Sequence, residues 1–465
     1  MDGNVWAITP RNNYEIKIMK VAIIGSGPAG WAAYLTLSKD NVHAITVFTL
    51  NDQHQEGLEF LQGVEVKGNR GNYTAYDFER HTKMSRGSGI FRGLTASKGI
   101  SGFSEVWGAS LDEEDDGSLF SSRENQHWSF TPLKSPSVVK NLSTGYQVES
   151  RSSNLAIDID KCIKCGECIL GCPVDAIWSS EIAFRDQSES KSPIKNLVFQ
   201  EVTSVGSTEN PFIEFIDGSH EKFDLVILAA GTFASAKILA RSHARFKKMQ
   251  ISDSKTTFMG GLKIWPQPKV NWISLSQQVV TFTKGDFQLL LQLYPNSIKL
   301  KERALLNRSR LFQIAIRLVW PVLAKFITTG IAYLNDVYSD SMEIEYLEES
   351  DSLKVSVLEN QKSIEGTAIL HKLLRSNKGF LKVIFFRKLD SYLGVGTGFH
   401  FGNMNVVNES GELVHIQQEL LEFSKDILLV GSASLREVPA GPITSKLMRE
   451  TQETIEKYLK NRSSI

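Results

Sequence analysis

An α/β fold is predicted, with one nucleotide-binding unit, a small inserted cysteine module and a mixed α+β second unit. Three features of the sequence predict it. A glycine turn, Gly25-Ser26-Gly27-Pro28-Ala29-Gly30, lies between a β-branched run at residues 20–24 and a helical run at 31–38. All four cysteines, Cys162, Cys165, Cys168 and Cys172, crowd into one short stretch of a 465-residue chain. Strand-like runs then dominate 255 to 390, before the chain returns to an α/β pattern at 391–465.

A chain of this length holds two or three domain-sized units. Its 42% hydrophobic and 22% charged residues are ordinary for a globular protein. Its 52 basic and 52 acidic residues cancel, so no nucleic-acid partner is expected. Residues 1–18 form a polar N-terminal extension without an apolar core or a small-residue cleavage site, so they do not read as a signal peptide. Met19 could be the start of the folded chain, and the extension is assigned no function.

Residues 19–254 read as the first part of the nucleotide-binding domain. Gly25 allows a tight turn, Gly27 lets backbone approach a pyrophosphate, and Gly30 lets helix and strand pack closely. The helix N-terminus then offers unpaired N–H groups to phosphate. A lone G-x-G-x-x-G is weak, but its place between strand and helix strengthens it. The second strand, 44–50, should end near an acidic residue for a ribose hydroxyl. Here it carries Thr49, with Asp52 three residues later. Thr49 or Asp52 takes that role, or the ribose is held less firmly.

The cysteine run has C-x2-C-x2-C-x3-C spacing followed by Pro173, the bacterial ferredoxin signature. Disulfides need an oxidising compartment, and zinc ligands usually come as two separated pairs. Gly166 and Gly171 let the backbone wrap, and Ile163, Ile169 and Ile177 are expected to form an apolar shell. In two-cluster ferredoxins the fourth cysteine of such a run serves the other cluster, yet no second set exists here. Two versions follow. All four cysteines hold one 4Fe–4S cluster, the version preferred, or Cys162, Cys165 and Cys168 hold three irons and Cys172 stands apart. The lack of other cysteines fits a reducing, cytoplasmic setting.

Residues 153–180 read as an insertion. After a hairpin-like segment at 213–222, an apolar strand, Ala229-Ala230-Gly231 and a helix resume at 223–239, where the domain's closing strand is expected. A module tethered at both ends should lie near the cofactor. The 255–390 unit is expected to face substrate. Within it, 311–334 is long enough to span a bilayer but is interrupted by Arg317, Pro321 and Lys325. The preferred reading is a buried or half-buried helix pair broken at Pro321. The other is a helix lying peripherally on the inner face of a membrane, with Lys299, Lys301, Arg303, Arg308 and Arg310 as a basic rim. No second glycine fingerprint supports a nicotinamide partner.

Five segments in order resemble flavoprotein oxidoreductases of the glucose–methanol–choline type, over about half the chain. They are VAIIGSGPAG, SGFSEVWGAS at 101–110, DLVILAAGTFASAKIL, GFHFGN at 398–403 and LLVGSASLREVPAGPITSKLM. The resemblance implies a Rossmann-like FAD-binding domain and a mixed α+β substrate domain; the ferredoxin-like iron–sulfur insertion read from the cysteines is not a usual feature of that family. It implies FAD contacts at Gly25, Gly27, Pro28, Ala29, Gly30 and Thr49, at Ser104 and Trp107, at Ala230 and Gly231, at Gly431 and Ser432, and at Gly441, Pro442, Ile443 and Thr444. It makes His400 the catalytic base. A histidine suits that role because its pKa lies near neutrality. His43, His54 and His415 have no motif around them and read as surface residues.

Two departures stand out. In the pyranose oxidase branch a histidine that holds FAD covalently precedes the tryptophan, and here that position is Val106, so non-covalent FAD is expected. The family's second base should fall where this chain has Gly441 before Pro442. With the insertion, this argues against a simple oxygen-using alcohol oxidase. The first expectation is a dehydrogenase of a sugar or polyol hydroxyl, passing electrons through the cluster to a ferredoxin or a quinone. A ferredoxin-driven reductase of a carbonyl or alkene comes second, and a redox-neutral epimerase with a structural cluster third.

Overall fold

The computed structural model describes residues 18–39, 43–50, 58–61, 64–66, 82–84, 101–105, 107–111, 118–120, 138–164, 168, 172–189, 197–266, 275–294, 309–385, 391–392, 401–408 and 410–463. A five-stranded parallel sheet runs in the order Leu197–Phe199, His43–Thr49, Met19–Ile24, Leu225–Leu228, Ile427–Leu429. Parallel strands are covered on both faces and so read as continuous apolar runs. Alternation then assigns each residue a side. Val21, Ile23, Leu225 and Ile227 face the Pro28–Ser38 and Thr444–Ser463 helices, packing with Trp31, Leu37, Met448 and Ile455. Ala22, Ile24, Val226 and Leu228 face the other way, onto Phe233 and Leu239 of the Thr232–Ser242 helix and onto a three-stranded antiparallel sheet, Val202–Ser207, Pro211–Phe215 and His220–Lys222.

The expected strand–turn–helix–strand is therefore present, with the helix starting earlier, at Pro28, where proline's fixed φ suits the first turn. One expectation is corrected. Leu225–Leu228 does not close the sheet; it lies inside, with all four residues buried between Met19–Ile24 and Ile427–Leu429. The edge strand comes from the C-terminal region. At the opposite edge Leu197–Phe199 comes after the cysteine module and the Ser180–Glu189 helix, so the chain enters the module from the antiparallel sheet and leaves it into the parallel one.

The second unit contains a large antiparallel sheet in the order Val383–Phe385, Lys255–Lys263, Ile327–Leu334, Phe287–Tyr294, Gln278–Lys284, Gln147–Ser152, Val138–Asn141. The last two strands precede the cysteine run in sequence. On one face Leu289, Leu291 and Leu293 pack against Leu370, Leu373 and Leu374 of the Gln361–Ser376 helix. The alternate residues Leu290, Gln292 and Tyr294 point to the nucleotide-binding unit. A Cβ built on Gly441 would sit 2.7 Å from Leu290, and one on Gly108 would sit 3.7 Å from the Tyr294 hydroxyl.

The helix pair expected at 311–334 is also corrected. Arg310–Leu323 is one helix, with Pro321 inside its last turn. Ile327–Leu334 is a strand with strictly alternating burial, because its β-branched, period-two pattern fits between Lys255–Lys263 and Phe287–Tyr294. The helix is largely exposed instead of half-buried. No helix among the described residues is long and apolar enough to cross a membrane.

Candidate nucleotide and iron–sulfur site

The glycine turn is built by close backbone contacts. Gly25 has φ +108°, and a Cβ there would meet Ala229 O at 2.4 Å; a Cβ on Gly30 would meet Gly25 O at 2.0 Å. Gly27 differs: its built Cβ finds only Ser101 O, at 3.9 Å. Open space thus lies where the Pro28–Ser38 helix begins, and that N-terminus has no side-chain cap. Uncapped N–H groups beside an open glycine form a cradle for an anion such as a pyrophosphate. Thr49 is buried, with its hydroxyl 2.6 Å from that of Ser26, so it fixes the turn from behind. Asp52 lies outside the described residues.

The C-terminal and mid-chain motifs converge on the same turn. Gly431, at φ +82°, would place a Cβ 2.8 Å from that of Ala29. Gly231 precedes a second uncapped helix N-terminus, Ala230 is half-buried beside it, and nothing lies within 4 Å of the Cβ built on Gly231. The Thr232 hydroxyl donates to Phe401 O at 3.1 Å and lies 3.0 Å from the Ser432 hydroxyl. These contacts bring Phe401 to the start of the Thr232–Ser242 helix and to the Gly431–Ser432 turn. His400 itself lies outside the described residues. Its neighbour Asn403 is held at φ +50° and donates to Asp336 at 3.4 Å, while the Val438 N–H donates to the same carboxylate at 2.9 Å. Burial pushes the Asp336 carboxyl above its usual range. Asp336 was not legible as a site residue, yet it ties Asn403 to the loop that carries Gly441, Pro442, buried Ile443 and Thr444.

The cysteine module is fastened to this site. Its polypeptide returns through Asp158 N–H to Ala176 O (2.7 Å) and Trp178 N–H to Ala156 O (3.1 Å). Ser180, fully buried, donates its hydroxyl to Ser26 O at 2.8 Å and its N–H to the Ser104 hydroxyl at 3.0 Å. Glu181 N–H donates to the Ser101 hydroxyl at 3.2 Å, and the Trp107 indole donates to Trp178 O at 2.8 Å. The exit of the module thus bonds both the glycine turn and the 101–107 loop.

Cys168 is buried in the same apolar cluster as Trp31, Ile157, Ile177 and Trp178, and Cys162 and Cys172 pack against it. Cys165 lies outside the described residues. Cys172 Sγ accepts the Ala176 N–H at 3.2 Å, a backbone-to-sulfur bond of the kind that tunes a cluster. Lys164 and Asp175 take left-handed backbone, at φ +62° and +55°, which curls the chain around the thiols. The expected apolar shell holds for Ile177 but not for Ile163, which is exposed; Ile169, Gly166 and Gly171 lie outside the described residues. Trp178 keeps a buried indole N–H with no partner. Soft thiolates packed against an apolar cluster, one of them accepting a backbone N–H, fit a 4Fe–4S cluster.

Facing this ensemble, the antiparallel sheet presents polar groups that the sequence reading missed. Gln292 is 1% exposed; its carbonyl accepts the Tyr294 hydroxyl at 2.7 Å, and its amide nitrogen has no partner. Burial pushes the Tyr294 and Tyr333 phenols well above their usual range. A single glutamine in the run LLLQLY was the one signal of this face. Two histidines read as surface are corrected. His43 is half-buried, and His415 is half-buried too: its Nδ1 accepts the Gln417 N–H and its Nε2 lies 3.3 Å from Leu435 O. His54 lies outside the described residues.

A family model described as "4Fe-4S binding domain" matches residues 155–178. No curated protein matches the chain. Among solved structures, pyridoxine 4-oxidase from Mesorbium loti is similar with a TM-score of 0.57 at 11% identity, covering 95% of this chain and 99% of that one. Formate oxidase from Aspergillus oryzae RIB40 is similar with a TM-score of 0.52 at 12% identity, covering 96% and 98%. A fungal aryl-alcohol oxidase is similar with a TM-score of 0.51 at 8% identity, covering 96% and 99%. The chain therefore has the α/β fold of these oxidases, a Rossmann-like unit joined to a large antiparallel sheet, with a ferredoxin-type segment inside it.

Proposed function

We propose that the chain is an FAD- and 4Fe–4S-dependent oxidoreductase that dehydrogenates a hydroxyl group of a sugar or polyol. The observation that carries this reading is the bonding of residues 178–181 to both the glycine turn and the 101–107 loop, which makes the cysteine module part of the nucleotide site.

FAD fits the open glycine at Gly27, the two uncapped helix N-termini and the half-buried Trp107. Ser104, Gly431, Ser432, Gly441, Pro442, Ile443 and Thr444 would complete its surroundings. The four cysteines would hold the cluster. When bound, FAD supplies a hydride-accepting centre and the cluster a one-electron route onward. In this reading His400 takes the hydroxyl proton of the substrate. Asp336 positions the segment that carries it. Gln292 donates its free amide N–H to a further substrate hydroxyl, and Tyr294 holds that amide in place. A polyol suits this face, because a buried unpaired donor favours a ligand that brings an acceptor. The acceptor of the electrons would be a ferredoxin or a quinone.

Anaerobic titration of the full chain tests the reading. Sugars or alcohols should bleach the flavin without oxygen, and an added one-electron acceptor should restore its colour. Bleaching by reduced ferredoxin alone would reverse the direction. Turnover with no external acceptor would make the enzyme redox-neutral.

A further inference from the structure

The Arg310–Leu323 helix turns its apolar side to solvent. Leu311, Ile314, Leu318 and Val322 recur at the i, i+3, i+7, i+11 spacing of one stripe and are 81%, 49%, 76% and 64% exposed. Val319 and Leu323 widen the stripe. Among the described side chains of the helix the half-buried ones are Gln313, Ile316 and Trp320, so a polar residue faces inward while leucines face out. Single exposed apolar residues need no explanation, but a contiguous exposed stripe marks a contact surface.

The apolar surface continues beyond the helix. Lys263 N–H donates to Phe326 O at 2.7 Å, just past the helix end, and Ile264 N–H donates to Lys382 O at 2.9 Å. The adjoining Ile264, Trp265 and Ile384 are exposed. Tryptophan is the residue enriched where a membrane meets water.

Charge selects the occupant. From 303 to 335 the chain carries Arg303, Arg308, Arg310, Arg317 and Lys325 and no acidic residue, although the whole chain is neutral. Arg310, Arg317 and Lys325 are exposed, and helical spacing places Arg310 and Arg317 on one line beside Ile314. We propose that this face docks the protein on an anionic phospholipid bilayer, with the helix lying in the plane of the interface. A basic rim around an aliphatic stripe matches acidic headgroups above acyl chains. A second copy is disfavoured, because a two-fold contact would bring two basic rims together. The 14-residue helix is too short to span.

Flotation of the full chain with phosphatidylcholine vesicles, with and without about 30 mol% phosphatidylglycerol, tests the proposal. Sedimentation velocity and melting of each protein would accompany it. The wild type should float with the anionic vesicles and much less with neutral ones. Leu311→Glu/Leu318→Glu should weaken binding roughly tenfold or more. Arg310→Gln/Arg317→Gln, or about 0.5 M salt, should weaken it several-fold. Trp265→Ser, on a separate element, should also weaken it, and it serves if the leucine variant melts early. Failure of the wild type to float, or equal flotation of the well-folded variants, would overturn the proposal. So would a wild-type dimer that Leu311→Glu/Leu318→Glu converts to monomer without any vesicle binding.

Discussion

Gly27 and Gly30 stand three residues apart in one turn, yet they answer to different constraints. A Cβ on Gly30 would overlap the Gly25 carbonyl, so Gly30→Ala should destabilise the protein by about 2–4 kcal/mol and lower its melting temperature with or without flavin. Gly27 has a negative φ and open space, so Gly27→Ala should leave apo stability within about 0.5 kcal/mol while cutting FAD content, measured by absorbance per chain. Gln292→Leu should cost about 1–2 kcal/mol, because it strands the buried Tyr294 hydroxyl that donates to the glutamine carbonyl. Under the proposed role it should also lower kcat/KM for the polyol by about 10²-fold. The glycines were legible in the sequence because backbone constraints are local. Gln292 and Asp336 were not, since each matters only through partners brought close by the sheet and the C-terminal loop.

At the scale of elements, the cysteine module and the helix that follows it carry the most testable contacts. Ser180 begins the Ser180–Glu189 helix and makes the one described side-chain bond from the module's exit to the glycine turn. Ser180→Ala should cost about 1–2 kcal/mol, read by denaturant melting, and should lower flavin content more than iron content. The Ile416–Phe423 helix offers a pH test. His415 caps it, and burial holds the His415 imidazole below its ordinary pKa. The unfolded chain then takes up the proton first as pH falls. Stability from His415 is therefore full above the ordinary imidazole range and is lost as pH falls through it towards the depressed folded value. His415→Asn keeps a capping acceptor but cannot titrate. The difference in melting temperature between wild type and variant should close as pH falls through and below the ordinary imidazole range. Strand–turn–helix patterns were legible at this scale. The Arg310–Leu323 helix and the Ile327–Leu334 strand were not, because an apolar run of that length is read as buried until its neighbours are known.

Across the whole molecule, an α/β nucleotide fold carries the cysteine module and meets a sheet whose inner face holds Gln292, Tyr294 and Tyr333 beside Leu290. The order of motifs made that architecture legible, but sheet membership was not. Val138–Asn141 and Gln147–Ser152 join the antiparallel sheet from before the cysteine run, and Ile427–Leu429 closes the parallel sheet from near the C-terminus. Such pairings join residues far apart in sequence, where no local period reports them. Their result is a ferredoxin-type loop and a nucleotide turn sharing one apolar cluster and one set of hydrogen bonds. On this arrangement a cluster and a flavin would be close neighbours. Electron paramagnetic resonance of the anaerobically purified full chain, partly reduced with dithionite, tests it most directly. The flavin radical signal should relax much faster once the cluster is reduced, and this effect should be lost in Cys168→Ala. A flavin signal that saturates like an isolated radical beside a reduced 4Fe–4S cluster would contradict it.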